Sequence, residues 1–106
     1  MPKRLRRVEI LLPLQFNDGS VVPPLALGRT LRDIRVKFGA VTTETQLIRG
    51  SWTHKGQVYS DDLNRLFVDV EEDATTLPWF VDFKQTLLER YRQIDIWMTT
   101  YLVEAI

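Results

Sequence analysis

The spacing of apolar residues changes repeatedly along the chain, and the order of these changes constrains the fold more than any single motif. Alternate residues from Val8 to Phe16 are apolar, which predicts a strand with one buried face. Between Leu27 and Phe38 the apolar residues recur at helical spacing, which predicts a helix over about 24–38. Gly39 follows as a residue suited to a left-handed helix end. The chain therefore begins with a strand and continues into a helix.

The next segment is rich in β-branched residues and predicts a second strand over 40–52. The sequence THKG at 53–56 predicts a tight reversal of the chain. A third strand follows over 57–72, and we expect a bulge in it near Ser60–Asp62. Two strands joined by a short turn are typical of an antiparallel hairpin.

A second helical pattern spans about 75–93, and alternating apolar residues over 94–106 predict a final strand. The resulting order, β-α-β-β-α-β, contains neither an internal repeat nor a linker. It favours an α+β ferredoxin-like plait, in which an antiparallel sheet carries both helices on one face. We expect a single domain over 1–106, in which residues 1–7 form a basic N-terminal arm.

Composition narrows the possible functions. The chain of 106 residues has no cysteine, so disulfides, thiolate metal sites and cysteine nucleophiles are excluded. No apolar run reaches the length of about 20 residues that spans a bilayer, and no secretory cleavage pattern follows the N-terminal segment, so we expect a cytoplasmic protein. Adjacent residues of a strand point to opposite faces, so Asp61 and Asp62 do not make a catalytic pair unless the strand is bulged, and we interpret them as part of a solvated loop or bulge. We predict no cofactor, no metal site, no catalytic residue and no contact with a membrane.

Charge is balanced overall but unevenly divided between the two halves of the chain. Residues 1–55 carry a formal charge of +6, and residues 56–106 carry −6. Such asymmetry can indicate a half that binds nucleic acid, but halves that interleave in one sheet would neutralise each other. The sequence NRLFVDV offers one stacking aromatic, Phe67, and the acids near it would repel a phosphate chain. We therefore expect neutralisation and keep nucleic-acid binding as a minor alternative.

One face of the predicted sheet points away from the helices and carries apolar residues where an exposed sheet is normally polar. Aromatic side chains bury about 150–250 Å² each, so this face would leave a large patch in water. The predicted interface residues are Leu11, Phe67, Trp97, Tyr101 and Val103. We expect a second copy of the chain to cover this open sheet face and form a homodimer, and a cleft for a small molecule is the next alternative.

The segment RGSWTHKGQVYSDD contains the only histidine of the chain, His54. In the predicted hairpin His54 lies in a type I turn, Gly56 forms a bulge with positive φ, and Trp52 pairs with Val58. We interpret this segment first as a structural turn. The alternative is a small-molecule site formed by Arg49, Trp52, His54 and Tyr59.

Several short motifs resemble those of an uncharacterised, domain-of-unknown-function group of small bacterial proteins. The shared features are a phenylalanine-glycine helix end, a G-x-W strand, a glycine hairpin and an aromatic-basic-glutamine run before the last strand. The matching residues are Phe38, Gly39, Gly50, Trp52, Gly56, Val58, Tyr91, Arg92 and Gln93. The resemblance implies a ferredoxin-like fold and brings no activity with it.

These observations lead to one preferred function and two alternatives. The preferred hypothesis is a homodimeric binding or interaction module without catalysis. The first alternative is a small-molecule-binding enzyme of the dimeric α/β-barrel type, with His54 moving a proton in a pocket that Trp97 also lines. The second alternative is a weak nucleic-acid binder that uses the basic N-terminal half.

Overall fold

A computed structural model of the protein describes residues 2–44 and 47–106. These residues form five strands and two helices. The elements in chain order are β1 Lys3–Pro13, α1 Pro24–Phe38, β2 Thr42–Thr43, β3 Ile48–His54, β4 Gln57–Val70, α2 Thr76–Arg90 and β5 Met98–Ala105. None of the described helices is long and apolar enough to cross a membrane.

The strands form one antiparallel sheet in which the long strand β4 is central. The first half of β4 pairs with β3, and its second half pairs with both β1 and β2. On its other side β1 pairs with β5. The predicted class, α+β with an antiparallel sheet and two helices, is thereby confirmed and fits the ferredoxin-like class. The predicted second strand consists instead of the two short strands β2 and β3, and residues 45 and 46 between them lie outside the described residues.

Both helices pack on one face of this sheet because alternate residues of β1 and β4 are apolar. The strand residues of the buried core are Val8, Ile10, Leu12, Leu66, Val68 and Val70. The helices add Ala26, Thr30, Ile34, Phe80, Phe83 and Leu87, and Tyr91 follows directly after α2. Odd-numbered residues of β1 and β4 point to the open sheet face, away from the helices.

The first helix begins and ends where the apolar spacing predicts, over Pro24–Phe38, and Gly39 closes it with a φ of 88°. Glycine suits that position because a Cβ disfavours the left-handed conformation. The second helix begins near the predicted residue but ends at Arg90, earlier than expected. Arg92 has a φ of 51°, so the chain leaves the helical path before Gln93.

Three further predictions about the strands are wrong. Residues 3–7, predicted as an arm, form the first half of β1 because they pair with β5. The final strand covers Met98–Ala105 rather than 94–106, since the segment after α2 runs as a loop until Trp97. The pairing of β4 continues through Ser60–Asp62 without the expected bulge.

Candidate functional site

The turn between β3 and β4 sets the geometry of the site. Lys55 and Gly56 have φ values of 50° and 78°, and His54 pairs directly with Gln57. Two central residues with positive φ form a type I′ turn, whose twist matches that of the flanking strands. The predicted type I turn with a bulge at Gly56 is therefore wrong, and the strands pair one residue out of the expected register.

The true register places aromatic side chains together on the open sheet face. Trp52 lies opposite Tyr59 instead of Val58, and their rings stack with centroids 4.6 Å apart and planes 19° from parallel. His54 is two residues from Trp52 on the same face, with ring centroids 6.3 Å apart. Three of the four predicted binding residues thus form one aromatic cluster.

Asp61 adds a carboxylate to this cluster. The indole Nε1 of Trp52 donates a hydrogen bond to Asp61 Oδ2 at 2.8 Å. The neighbouring Asp62 points to the opposite face of the sheet, where its Oδ1 accepts a hydrogen bond from Arg49 Nε at 3.0 Å. Because the strand is regular here and not a loop or bulge, the two aspartates point apart and do not form a pair. Arg49 lies on the other side of the sheet from the other three predicted binding residues.

Beside this cluster the open face contains a cleft of about 410 Å³. Its apolar residues are Leu11, Pro13, Gly50, Leu63, Ile96 and the two tryptophans Trp52 and Trp97. Its polar residues are Ser51, Asp61, Gln93 and Asp95. The volume falls within the range of about 300–1,000 Å³ that is usual for small-molecule pockets.

Gly50 keeps the floor of the cleft open. A Cβ placed on this residue would lie 3.3 Å from Leu63 Cδ1, closer than most real contacts of this kind. Any larger residue at position 50 would also project into the cleft, because position 50 lies on the open face with Asp61 and Trp52. In the G-x-W sequence, Gly50 therefore leaves space in the cleft because it has no side chain, and Trp52 contributes an aromatic side chain to the cleft lining.

The loop between α2 and β5 supplies the other indole of the cleft. The backbone N–H of Leu11 donates to the carbonyl of Trp97 at 3.0 Å, and buried Ile96 anchors the loop in the core. Trp97 itself is 65% exposed. Asp95, at the rim, pairs with Lys84 Nζ at 2.8 Å. A fixed backbone thus carries an indole that is free to contact a ligand.

An ion-pair cluster, composed of Arg7, Glu9, Arg65, Asp69 and Tyr101 around Phe67, occupies the centre of the open face. Arg7 forms two hydrogen bonds to Asp69, at 2.7 and 2.9 Å. Two guanidinium groups stack on the Phe67 ring, with Arg7 Cζ 4.3 Å and Arg65 Cζ 5.3 Å from its centroid. Cations stack favourably on aromatic faces, so the chain's own side chains cover part of Phe67, which is half-buried.

Glu9 connects the two halves of this cluster. Its carboxylate accepts hydrogen bonds from Arg65 and from the Tyr101 hydroxyl, the latter at 2.6 Å. These bonds, with that from Arg65 the stronger influence, hold the pKa of Glu9 below its ordinary value. Hydrogen bonding from Arg7 likewise lowers the pKa of Asp69. Both groups are therefore stabilised as carboxylates.

The sequence-based interface prediction counted only apolar residues on this face. Leu11 lies in the cleft, two guanidinium groups stack on Phe67, Tyr101 donates to Glu9, and Val103 is half-buried. The prediction left out the charged residues of this face, Arg7, Glu9, Arg65 and Asp69. They form ion pairs between strands, which a reading of one strand at a time does not show. The homodimer through this face stays a prediction.

The basic residues of β1 are partly matched by acids at the end of β4 and just beyond it. Lys3 pairs with Glu71 at 2.8 Å, Arg6 pairs with Glu72, and Arg7 pairs with Asp69. The two oppositely charged halves therefore meet along β1 and β4, which agrees in part with the neutralisation expected from the sequence. Across residues 2–44 and 47–106, no three acidic or histidine side chains are grouped as a metal site would require.

Comparison with known proteins adds one relationship. The chain matches no family model and no curated protein. Among solved structures it is similar to a phage SAM lyase in complex with S-methyl-5′-thioadenosine, with a TM-score of 0.68 over 95% of this chain and 90% of that chain. The two sequences are 14% identical, so the similarity shows the fold alone.

Proposed function

We propose that this protein binds a small molecule with a flat aromatic ring, of the adenine nucleoside class, in the cleft between Trp52 and Trp97. The observation that carries the proposal is that two tryptophans and five further apolar residues line one cleft. Base–aromatic stacking contributes about 1–3 kcal/mol per base, and tryptophan offers a large face for it. We also interpret the fold as a ferredoxin-like plait in which β2 and β3 together take the place of one strand.

The charge of the cleft favours a nucleoside over a nucleotide. The lining contains neither lysine nor arginine, and its two carboxylates are Asp61 and Asp95, of which Asp95 is paired with Lys84. Carboxylates accept hydrogen bonds from sugar hydroxyls and from an exocyclic amine, whereas they repel phosphate. Gln93 donates its amide to the Tyr91 carbonyl at 2.9 Å, which leaves its amide oxygen as a further acceptor.

The structural neighbour supports this ligand class independently of the cleft. The phage SAM lyase, which shares the fold, is a complex with S-methyl-5′-thioadenosine, an uncharged adenine nucleoside. The proposal extends to binding and not to a reaction, because His54 does not line the cleft and the ion-pair cluster holds its carboxylates in place. This keeps the binding-module hypothesis and gives it a ligand.

Isothermal titration calorimetry with S-methyl-5′-thioadenosine tests the proposal, with AMP as the matched anionic ligand. We expect saturable binding of the nucleoside and affinity for AMP lower by about tenfold or more, because the phosphate would meet the Asp61 carboxylate in a cleft whose lining contains no basic side chain. Nucleoside and nucleotide binding with equal affinity would contradict the assignment of the cleft, and absence of binding at millimolar nucleoside would contradict the proposal as a whole.

Two variants with equal exposure locate the binding site. Trp97→Ala removes one of the two indoles and should weaken binding about tenfold or more. Leu25→Ala alters a residue of α1 that is 64% exposed, against 65% for Trp97, and should leave binding unchanged. Equal affinities in the two variants would show that the nucleoside binds elsewhere.

A further inference from the structure

We propose that β5 is a self-association edge, along which β5 of a second copy pairs antiparallel and extends the sheet. Within residues 2–44 and 47–106, β5 pairs only with β1, over eight residues from Met98 to Ala105. An uncovered strand edge presents unpaired backbone N–H and C=O groups that can pair with another chain. This inference is independent of the proposed ligand.

One backbone hydrogen bond identifies which residues have unpaired groups. Leu11 N–H donates to Trp97 C=O at 3.0 Å, one step beyond the pairing of Ile10 with Met98. In an antiparallel pair, hydrogen-bonded and non-hydrogen-bonded residues alternate. The odd-numbered residues from 97 to 105 therefore bond to β1. The residues whose N–H and C=O point to the free edge are Met98, Thr100, Leu102 and Glu104.

The edge lacks the features that prevent such pairing in many monomeric proteins. Proteins protect free edges with lysine, proline, bulges or very short strands. β5 has the sequence MTTYLVEA, which includes neither lysine nor proline and carries one charge, Glu104. Its pairing with β1 runs without interruption. Leu102 is 49% exposed although it lies in the middle of the strand.

The pattern of free groups is self-complementary, which favours a second copy as the partner. In the longest two-fold register, Thr100 faces Leu102 and Met98 faces Glu104 of the other copy, so all four residues on each strand make backbone hydrogen bonds. Tyr101 then lies opposite its own counterpart in a non-hydrogen-bonded position. Aromatic pairs across strands are stabilising, and side chains are closest at such positions.

The ion-pair cluster argues against the open face as the surface that dimerises. A sheet-on-sheet contact would remove water from the Arg7–Asp69 and Glu9–Arg65 pairs, and burial of ion pairs carries a large desolvation penalty. Pairing along β5 leaves the centre of this face in water. The proposed dimer therefore forms through this edge, and not through the open face that the sequence predicts.

Cysteine cross-linking tests the register, because the native chain has no cysteine. Tyr101→Cys should form a disulfide-linked dimer under mild oxidation, since the two thiols meet across the two-fold axis. Val103→Cys is the matched control on the same strand face, and it should cross-link at least tenfold more slowly because its partner is Thr99. Equal rates for the two variants, or no dimer from Tyr101→Cys, would overturn the proposed pairing.

Light scattering of the untagged chain over a range of concentrations tests the association itself. We expect a reversible dimer, and Leu102→Lys should weaken it at least tenfold because two lysines would approach across the axis. Leu77→Lys adds the same charge to an α2 residue that is 57% exposed and should not change the dimer. Circular dichroism confirms that both variants fold. A monomer at every concentration, or a dimer insensitive to Leu102→Lys, would overturn the proposal.

Discussion

The indole Nε1 of Trp52 donates a hydrogen bond to Asp61 Oδ2 at 2.8 Å. The bond joins β3 to β4 within the hairpin, and both residues line the cleft. It is possible only because the type I′ turn places Trp52 opposite Tyr59 and next to Asp61 on the open face. A shift of one residue in register would move a strand's side chains to the other face. The turn therefore determines whether Trp52 can line the cleft.

Removal of the Asp61 carboxylate should leave the Trp52 side chain less firmly positioned in the cleft. We expect Asp61→Leu to weaken nucleoside binding about tenfold, because the indole loses its acceptor and the ligand loses a hydrogen-bonding group. Asp62→Leu is the control, since the adjacent side chain bonds to Arg49 on the opposite face. Calorimetric titration of both variants checks the prediction, and equal losses of affinity would contradict it.

Alanine at two glycines should have opposite effects on stability. Gly56→Ala should lower the free energy of unfolding by about 1 kcal/mol or more, because its φ of 78° disfavours a Cβ. Gly28→Ala, in the interior of α1 with no atom within 4 Å of the added Cβ, should raise it by about 0.5–1 kcal/mol. Urea denaturation measures both, and a Gly56→Ala variant at least as stable as the wild type would contradict the assigned turn.

The sequence predicts those parts of the fold that depend on local periodicity. The apolar spacing and Gly39 locate α1 to the residue, because helix propensity and capping act over a few neighbours. The final strand was extended too far at its start, since the alternation from Ile94 to Trp97 imitates a strand. Ile94 and Ile96 would lie on the same face of a strand and share its burial. In the structure Ile94 is exposed and Ile96 is buried, because the segment is a loop that Ile96 alone anchors in the core.

The candidate site was less predictable because it depends on pairing between strands. Lys-Gly is an uncommon type I′ sequence, so the turn type and the contact between Trp52 and Asp61 were missed. The ion-pair cluster was missed for a related reason, since Arg65 and Glu9 are 56 residues apart in sequence. The alternation of charged and apolar residues in RRVEILL was the available signal.

The buried Tyr91 hydroxyl lies 3.1 Å from Thr30 Oγ1, and its loss should be measurable. We expect Tyr91→Phe to lower the free energy of unfolding by about 1 kcal/mol at neutral pH. Burial raises the pKa of Tyr91, so the unfolded state ionises first and stability falls as pH rises above about 10. The Tyr91→Phe variant has no phenol at this position, so its free energy of unfolding should fall less than that of the wild type as pH rises above about 10. A variant with the wild-type alkaline profile would contradict this role.

Acid should weaken the ion-pair cluster. The pKa values of Glu9 and Asp69 are lowered in the folded state, so their contribution is complete above the unfolded values near pH 4 and disappears as pH falls through the folded values. Asp69→Asn should reduce stability by about 1 kcal/mol or less at pH 7 and flatten the acid profile. Urea denaturation from pH 2 to pH 7 checks this, and an unchanged slope would contradict it.

The most direct test of the proposed function uses the three tryptophans of the chain as separate probes. Trp52 and Trp97 line the cleft, whereas Trp79 packs among Phe38, Phe80 and Phe83 between the helices. In a two-dimensional 1H–15N spectrum, titration with S-methyl-5′-thioadenosine should shift the indole N–H signals of Trp52 and Trp97 and leave that of Trp79 in place. A titration in which neither cleft indole moves, or in which Trp79 alone moves, would contradict the assignment of the cleft as the binding site.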